Sequence, residues 1–129
     1  MIQQISTSSA PAAIGPYSQA IRAGSTVYVS GQLPVNPATA SLAADDVEAQ
    51  TEQSLRNVEA ILLAAGFSMA DVVKTTVLLA SMEDFAAMNA VYARHFAAPY
   101  PARAAFQVAK LPLGARVEIE AVAVKTEEE

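Results

Sequence analysis

The residues of this chain with most chemistry to offer lie near its C-terminal end, in the run Pro101–Ala121, PARAAFQVAKLPLGARVEIEA. Arg103 supplies a guanidinium, whose planar fork of donors suits a small carboxylate. Glu118 and Glu120 stand two apart in an apolar, β-rich segment, so on a strand both carboxylates point to one face. A fixed cation near a carboxylate is what a site for a small organic acid needs. The same residue types also fit an edge arginine and two solvated glutamates, and residue type alone does not separate the two readings.

Further polar groups stand elsewhere. Tyr17 lies in the loop Ala10–Ser18, where Pro11, Gly15 and Pro16 restrict the backbone and hold the ring on a stiff segment. Ser30 and Gly31 close the β-rich run TVYVSG, and the glycine leaves room for close backbone approach. With Arg103, Glu118 or Glu120, and the backbone at Ala105, they form a set without metal, cofactor or covalent nucleophile. Such a set fits binding or hydrolysis of a small acid at a subunit interface. Asn89, beside an apolar helical stripe, reads as a structural hydrogen-bonder. His95, at the end of the same helix, reads as a surface or helix-terminus residue.

Other chemistries find little support. The chain has no cysteine and one histidine, which leaves no thiolate site and no recognisable metal-ligand spacing. There is no phosphate-binding glycine loop, no dinucleotide fingerprint and no nucleophile elbow. The formal net charge is −5 and the chain ends in three glutamates, a balance that repels phosphate backbones and disfavours nucleic acid as a partner. The N-terminal segment MIQQISTSSAPAAIG lacks the pattern of a signal peptide, and no apolar run nears the ~20 residues that span a bilayer. The expectation is a cytoplasmic protein with no membrane contact.

The elements that must position these groups read as one domain over residues 1–129. Strand-like runs fall at IQQIS, Ala20–Ala23 and Thr26–Ser30, and Leu33–Leu42 reads as a loop. A helix follows, with Asp45 as its cap, Glu48 as capping-box partner and Gly66 as the residue past its end. Its apolar stripe is Val47, Thr51, Leu55, Val58, Ile61, Leu62 and Ala65. Met69–Ala80 contains a strand apolar on both faces. Ser81 opens a second helix with Phe85, Met88, Tyr92 and Phe96 as its stripe. Strands at Ala104–Ala109 and Ala115–Val124, joined around Pro112 and Gly114, close the chain. The order is α+β: a single sheet with two helices on one face. The other face carries apolar residues too, since Val122 and Val124 share it with Glu118 and Glu120 and the Val72–Leu79 run is apolar on both sides. With 53% hydrophobic and only 16% charged residues, its simplest cover is another copy of the chain.

The run PARAAFQVAKLPLGARVEIEA is similar to a signature of the RidA (YjgF/UK114) family of reactive-intermediate deaminases. APAAIGPYSQAI and VYVSGQLPVNP resemble that family's other two signatures, and DVVKTTVLLASMEDFAAMNAVY resembles its middle segment. In order, they cover nearly the whole chain. The resemblance implies a chorismate-mutase-like subunit in a homotrimer, with three sheets packed into a central β-barrel and clefts between subunits. It implies hydrolysis, without a cofactor, of reactive 2-imino or enamine acids (2-aminoacrylate, 2-iminobutyrate) to 2-keto acids and ammonia. By resemblance Arg103 grips the substrate carboxylate and Glu118, the catalytic residue, positions water. Tyr17, Ser30 and the Gly31 backbone line the cleft. Ala105 stands where several relatives have cysteine, in a contact made mainly through the backbone carbonyl. Asn89 matches the family's common asparagine and keeps its structural role. The competing readings are a non-catalytic trimer that binds a small carboxylate or a protein, against which Arg103 argues, and a translation-inhibiting ribonuclease. The acidic charge and the lack of a histidine pair make the ribonuclease the weakest.

Overall fold

The computed structural model describes residues 1–126; the glutamate run at 127–129 lies outside the described residues. The strands are β1 (Ile2–Ile5), β2 (Ala20–Ala23), β3 (Thr26–Gln32), β4 (Val35–Asn36), β5 (Ser41–Leu42), β6 (Val72–Leu79), β7 (Ala102–Gln107) and β8 (Val117–Val124), and the helices are α1 (Val47–Ala64) and α2 (Phe85–Tyr92). Six strands form one sheet in the order β1-β2-β3-β8-β6-β7, all neighbours antiparallel except the parallel pair β6 and β7. Both helices pack on one face, giving the expected α+β arrangement.

Alternation on β8 decides which face is which. Val117, Ile119, Ala121 and Ala123 are buried beneath the helices, and the residues between them point away. The α1 stripe meets this face: Leu55, Val58, Ile61 and Leu62 are fully buried, as is Thr51. Asp46, not Asp45, caps the helix, its side chain accepting from the Ala49 amide at 2.7 Å. The two aspartates are adjacent, and Asp46, immediately before the helix, has the extended backbone a cap requires. Asp45 instead pairs with Arg116, whose Nε lies 2.9 Å from its carboxylate. At the other end Gly66, at φ +82, closes the helix: its amide donates to Leu63 O at 3.0 Å and that of Phe67 to Leu62 O at 2.8 Å. The last turn of α1 has no basic residue of its own. Lys125 supplies one from the far end of the chain, donating to Gly66 O at 2.7 Å.

Three expectations shift. The segment Leu33–Leu42 is a small hairpin, β4 against β5, held to α1 by Asn57, which donates to Leu33 O and Val35 O at 3.1 and 2.9 Å. β3 runs past Ser30 to Gln32 through a register shift between Val29 and Gln32. β7 occupies Ala102–Gln107, two residues earlier than the expected Ala104–Ala109, which brings Arg103 inside a strand.

On β6, Thr75, Val77 and Leu79 face the helices. A register shift between Val72 and Lys74 lets Val72 be buried as well, so strict alternation along this strand does not hold. The face away from the helices carries Tyr28, Leu78, Phe106, Val122 and Val124 together with Glu118, Glu120 and Lys74. Tyr28 is 53% and Phe106 46% exposed, an apolar surface of the kind a partner covers.

Candidate functional site

Arg103 lies on the edge strand β7, beside Thr75 of β6 in the parallel register. Thr75 faces the helices, so the Arg103 side chain rises on that side too. There its Nη1 donates to Asn89 Oδ1 at 2.6 Å, and its Cζ lies 4.8 Å from the Tyr92 ring centre and 5.5 Å from that of Phe85. Asn89, Tyr92, Ala93, Tyr100, Pro101 and Arg103 line a cleft of about 490 Å³. The segment leading into it contains the cis peptide Ala98–Pro99. Ala105, two residues further along β7, packs its side chain toward the core formed by Val77, Leu79 and Met88.

Glu118 belongs to the other face. It pairs in register with Leu78, and its carboxylate lies so close to Gly31 that a Cβ there would overlap Oε2 and come within 3.0 Å of Cδ. This is the close approach that glycine permits. Burial pushes the Glu118 carboxyl above its usual range, and repulsion from Glu120 adds to the shift. Gly31 also lines a mostly apolar groove of about 420 Å³ with Ile14, Tyr17, Leu33, Val35 and Leu113. Tyr17 is 54% exposed, its amide donating to Gly15 O at 2.9 Å across a tight turn. Ser30 first serves to anchor this loop, its hydroxyl donating to Ser18 O at 2.6 Å and its amide to Gln19 O at 2.9 Å.

The residues thus assemble as two groups. Arg103, Asn89 and Ala105 stand at the sheet edge, whereas Tyr17, Ser30, Gly31 and Glu118 stand together near the bulged end of β3. Within one chain Arg103 and Glu118 do not meet. They point to opposite faces, and β6 lies between their strands, which sets the two backbones roughly 10 Å apart.

Sequence reasoning missed several supporting residues. Buried Gln19 ties down the N-terminal loop, donating to Thr7 O at 3.0 Å and Pro11 O at 2.7 Å while accepting from the Thr7 amide at 2.7 Å. Nothing in its local pattern marks it; only the neighbouring Pro/Gly loop hints that a polar anchor is required. Tyr92 and Phe85 read as core stripe, and their second role toward Arg103 depends on strand register. Asn89 is half-buried, and the group it bonds is the arginine itself. His95 stands at the terminus of α2, its amide donating to Tyr92 O at 3.0 Å, but it is not a surface group: its side chain is only 14% exposed and its Nε2 lies 2.7 Å from Glu52 Oε1 of α1. Glu52, hydrogen-bonded first by Arg56 and then by His95, is held below the usual carboxylate range. His95 lines neither the Arg103 cleft nor the Tyr17 groove.

A six-stranded sheet covered on one face by two helices, carrying an arginine-lined cleft at its edge and a partly desolvated carboxylate on its open face, defines a small α+β protein with two candidate half-sites. The profile of the family described as Endoribonuclease L-PSP matches residues 7–125. The chain belongs to this family, whose members include the RidA and YjgF proteins. It is 54% identical over 122 residues to the RutC family protein y4sK of Sinorhizobium fredii, covering 95% of this chain and 97% of that one. It is likewise 54% identical over 121 residues to the 2-iminobutanoate/2-iminopropanoate deaminase of Capra hircus, covering 94% and 88%. Among solved structures, RidA from an Antarctic Psychrobacter superposes with a TM-score of 0.92 at 50% identity, covering 95% and 99%. Among the described residues no helix is long and apolar enough to cross a membrane.

Proposed function

We propose that this chain, acting as one domain in a cytoplasmic homotrimer, hydrolyses small 2-imino acids to 2-keto acids and ammonia in clefts between copies. The observation that carries the reading is the division of its polar groups. The carboxylate grip and the water-activating carboxylate sit on opposite faces of one sheet, so a second copy is needed to bring them to one substrate. The edge strand β7 and the open face with Tyr28 and Phe106 both ask for such cover. Similarity to the curated deaminases supplies the substrate class.

The chemistry suits the groups. Arg103 binds the substrate carboxylate through donors that Asn89 leaves free, and so fixes the imine carbon in place. An imine protonated on nitrogen is already electrophilic. Glu118, with a raised pKa, takes a proton from water as the oxygen adds to that carbon. The tetrahedral adduct then passes a proton to nitrogen, the C–N bond breaks, ammonia leaves and the C=O bond of the keto acid forms. Tyr17, Ser30 and the Gly31 backbone line the water side. No metal or cofactor enters this scheme. Ribonuclease chemistry would need a base pair that one histidine, tied to Glu52, does not offer.

The test generates 2-iminobutyrate in situ from threonine with a dehydratase and traps it with semicarbazide. The protein is expected to lower the trapped yield in a concentration-dependent way. An unchanged yield, with 2-oxobutyrate still bound in calorimetry, would make it a binding protein instead.

A further inference from the structure

Resting on the reading of Arg103 as the carboxylate grip, we propose that Tyr92, locked by Thr75, and Phe85 are positioning residues that hold the Arg103 guanidinium in one orientation at the sheet edge. An arginine on an edge strand has four side-chain torsions and would otherwise sample many rotamers, all of which must be lost when a ligand binds. Several observations show that this freedom is already removed.

Thr75 is the register partner of Arg103, so the two side chains stand side by side. Tyr92 of α2 reaches across both: its hydroxyl is 2.7 Å from Thr75 Oγ1 in a buried hydrogen bond, and its ring lies 4.8 Å from Arg103 Cζ. Phe85 stands seven residues earlier on the same helix, on the same stripe, with its ring 5.5 Å from that Cζ. Asn89 falls between them and accepts from Nη1 at 2.6 Å. Three positions of one helical face therefore converge on a single guanidinium. Phe96 backs the Tyr92 ring, with centroids 4.7 Å apart.

The chemistry of this cradle is as informative as its shape. Aromatic rings and an amide oxygen orient a guanidinium without neutralising it. Among the described residues Arg103 makes no ion pair, and its Nε and Nη2 donate to no protein group. Arg22, also half-buried and stacked on an aromatic ring (Phe67), makes no ion pair either among the described residues, but it spends its donors on the Gly24 and Ala65 carbonyls, which Arg103 does not. Here the cation is fixed in place and left uncompensated, which is the state that receives a ligand carboxylate with least reorganisation.

The experiment measures 2-oxobutyrate binding by calorimetry and imine hydrolysis by trapping, on full-length Thr75→Val, Tyr92→Phe and Phe85→Leu, each also combined with Arg103→Lys. Thr75→Val and Tyr92→Phe each break the same hydrogen bond while keeping volume and ring. Each is expected to weaken 2-oxobutyrate binding about three- to tenfold and raise the KM for the imine by a similar factor. The two together should be no worse than either alone, and neither should add to Arg103→Lys, since the lock acts only through the guanidinium. Phe85→Leu tests the same point without the hydrogen bond. A lowered Tm with unchanged affinity in all three variants would overturn the proposal, as would a wild-type protein that does not bind 2-oxobutyrate. A wild type that binds 2-oxobutyrate but leaves the imine untouched would overturn the proposed function alone, and the loss of affinity in the variants would still support the positioning role.

Discussion

The two half-sites are built by opposite means. Around Arg103, order comes from side chains: a strand neighbour, a helix stripe and a buried hydroxyl pair converge on one charged group. Around Glu118, order comes from what is missing. Gly31 has no side chain, so the carboxylate can settle against bare backbone, and the loop bearing Tyr17 is pinned through Ser30 and Gln19, not through Tyr17 itself. The first half presents a charge that, among the described residues, has no ion-pair partner. The second presents a charge that burial has made costly, and hence a better proton acceptor. A catalyst that grips one end of a substrate and delivers water to the other gains from this division. The grip must be rigid, whereas the base must be willing to take a proton.

Removing the proposed grip should have the largest effect. Arg103→Ala is expected to lower kcat/KM for imine hydrolysis by about a hundredfold or more, since it deletes charge-assisted donors to the substrate. Arg103→Lys should recover little, because an ammonium offers no planar fork to the carboxylate. Near-wild-type rates in the lysine variant would show that the cradle serves packing and not recognition.

The proposed base comes next. Glu118→Gln should lower kcat on the order of a hundredfold while leaving 2-oxobutyrate binding intact, because Arg103 is untouched. Glu120→Gln should keep most activity. Its carboxylate is exposed and starts about 6–7 Å away along β8, beyond the reach of one shared water. Loss in Glu120→Gln with full activity in Glu118→Gln would move the base by one pleat and uncouple it from Gly31.

A smaller change probes the glycine directly. Gly31→Ala adds a methyl where the Glu118 carboxylate now lies, so the glutamate must swing away. We expect roughly a tenfold fall in kcat, set by the displaced base, with the affinity for 2-oxobutyrate retained. Equal losses in binding and turnover would instead mean that the β3 backbone itself contacts the acid.

How legible each half was in the sequence follows from the same contrast. The alternation on β8 and the apolar stripe of α1 are local periodicities, and both were readable. So was the shared face of Glu118 and Glu120. The neighbouring pair Asp45 and Asp46 defeated the choice of cap, because the same residue type stands at both positions and only where the helix begins separates them. The hairpin from Val35 to Leu42 was invisible because each of its strands is only two residues long, too short for alternation to register. The opposed faces of Arg103 and Glu118 could not be read at all. Parity within a strand comes from sequence, but parity between strands depends on register, and β6 carries a shift between Val72 and Lys74. The cradle of Arg103 was hidden for the same reason, since Thr75 meets it only through strand pairing.

The smallest expected effect is one of stability, and it tests whether the two halves are as electrostatically separate as one chain presents them. The folded-state pKa of Glu118 is raised above its unfolded value, so the folded protein holds this proton more tightly. Stability from this group is therefore full below the ordinary glutamate range and is lost as pH rises through the raised value. Glu118→Gln removes the titration. The variant should unfold at a slightly higher temperature than wild type at neutral pH, and the gain should shrink toward zero as the pH falls through the carboxylate range. Calorimetric scans of both proteins across that range measure the difference. A variant that is less stable than wild type at neutral pH would reverse the sign. It would mean that a cation from another copy neutralises Glu118 in solution, and Arg103, without an ion pair among the described residues, is a group with the charge to do so.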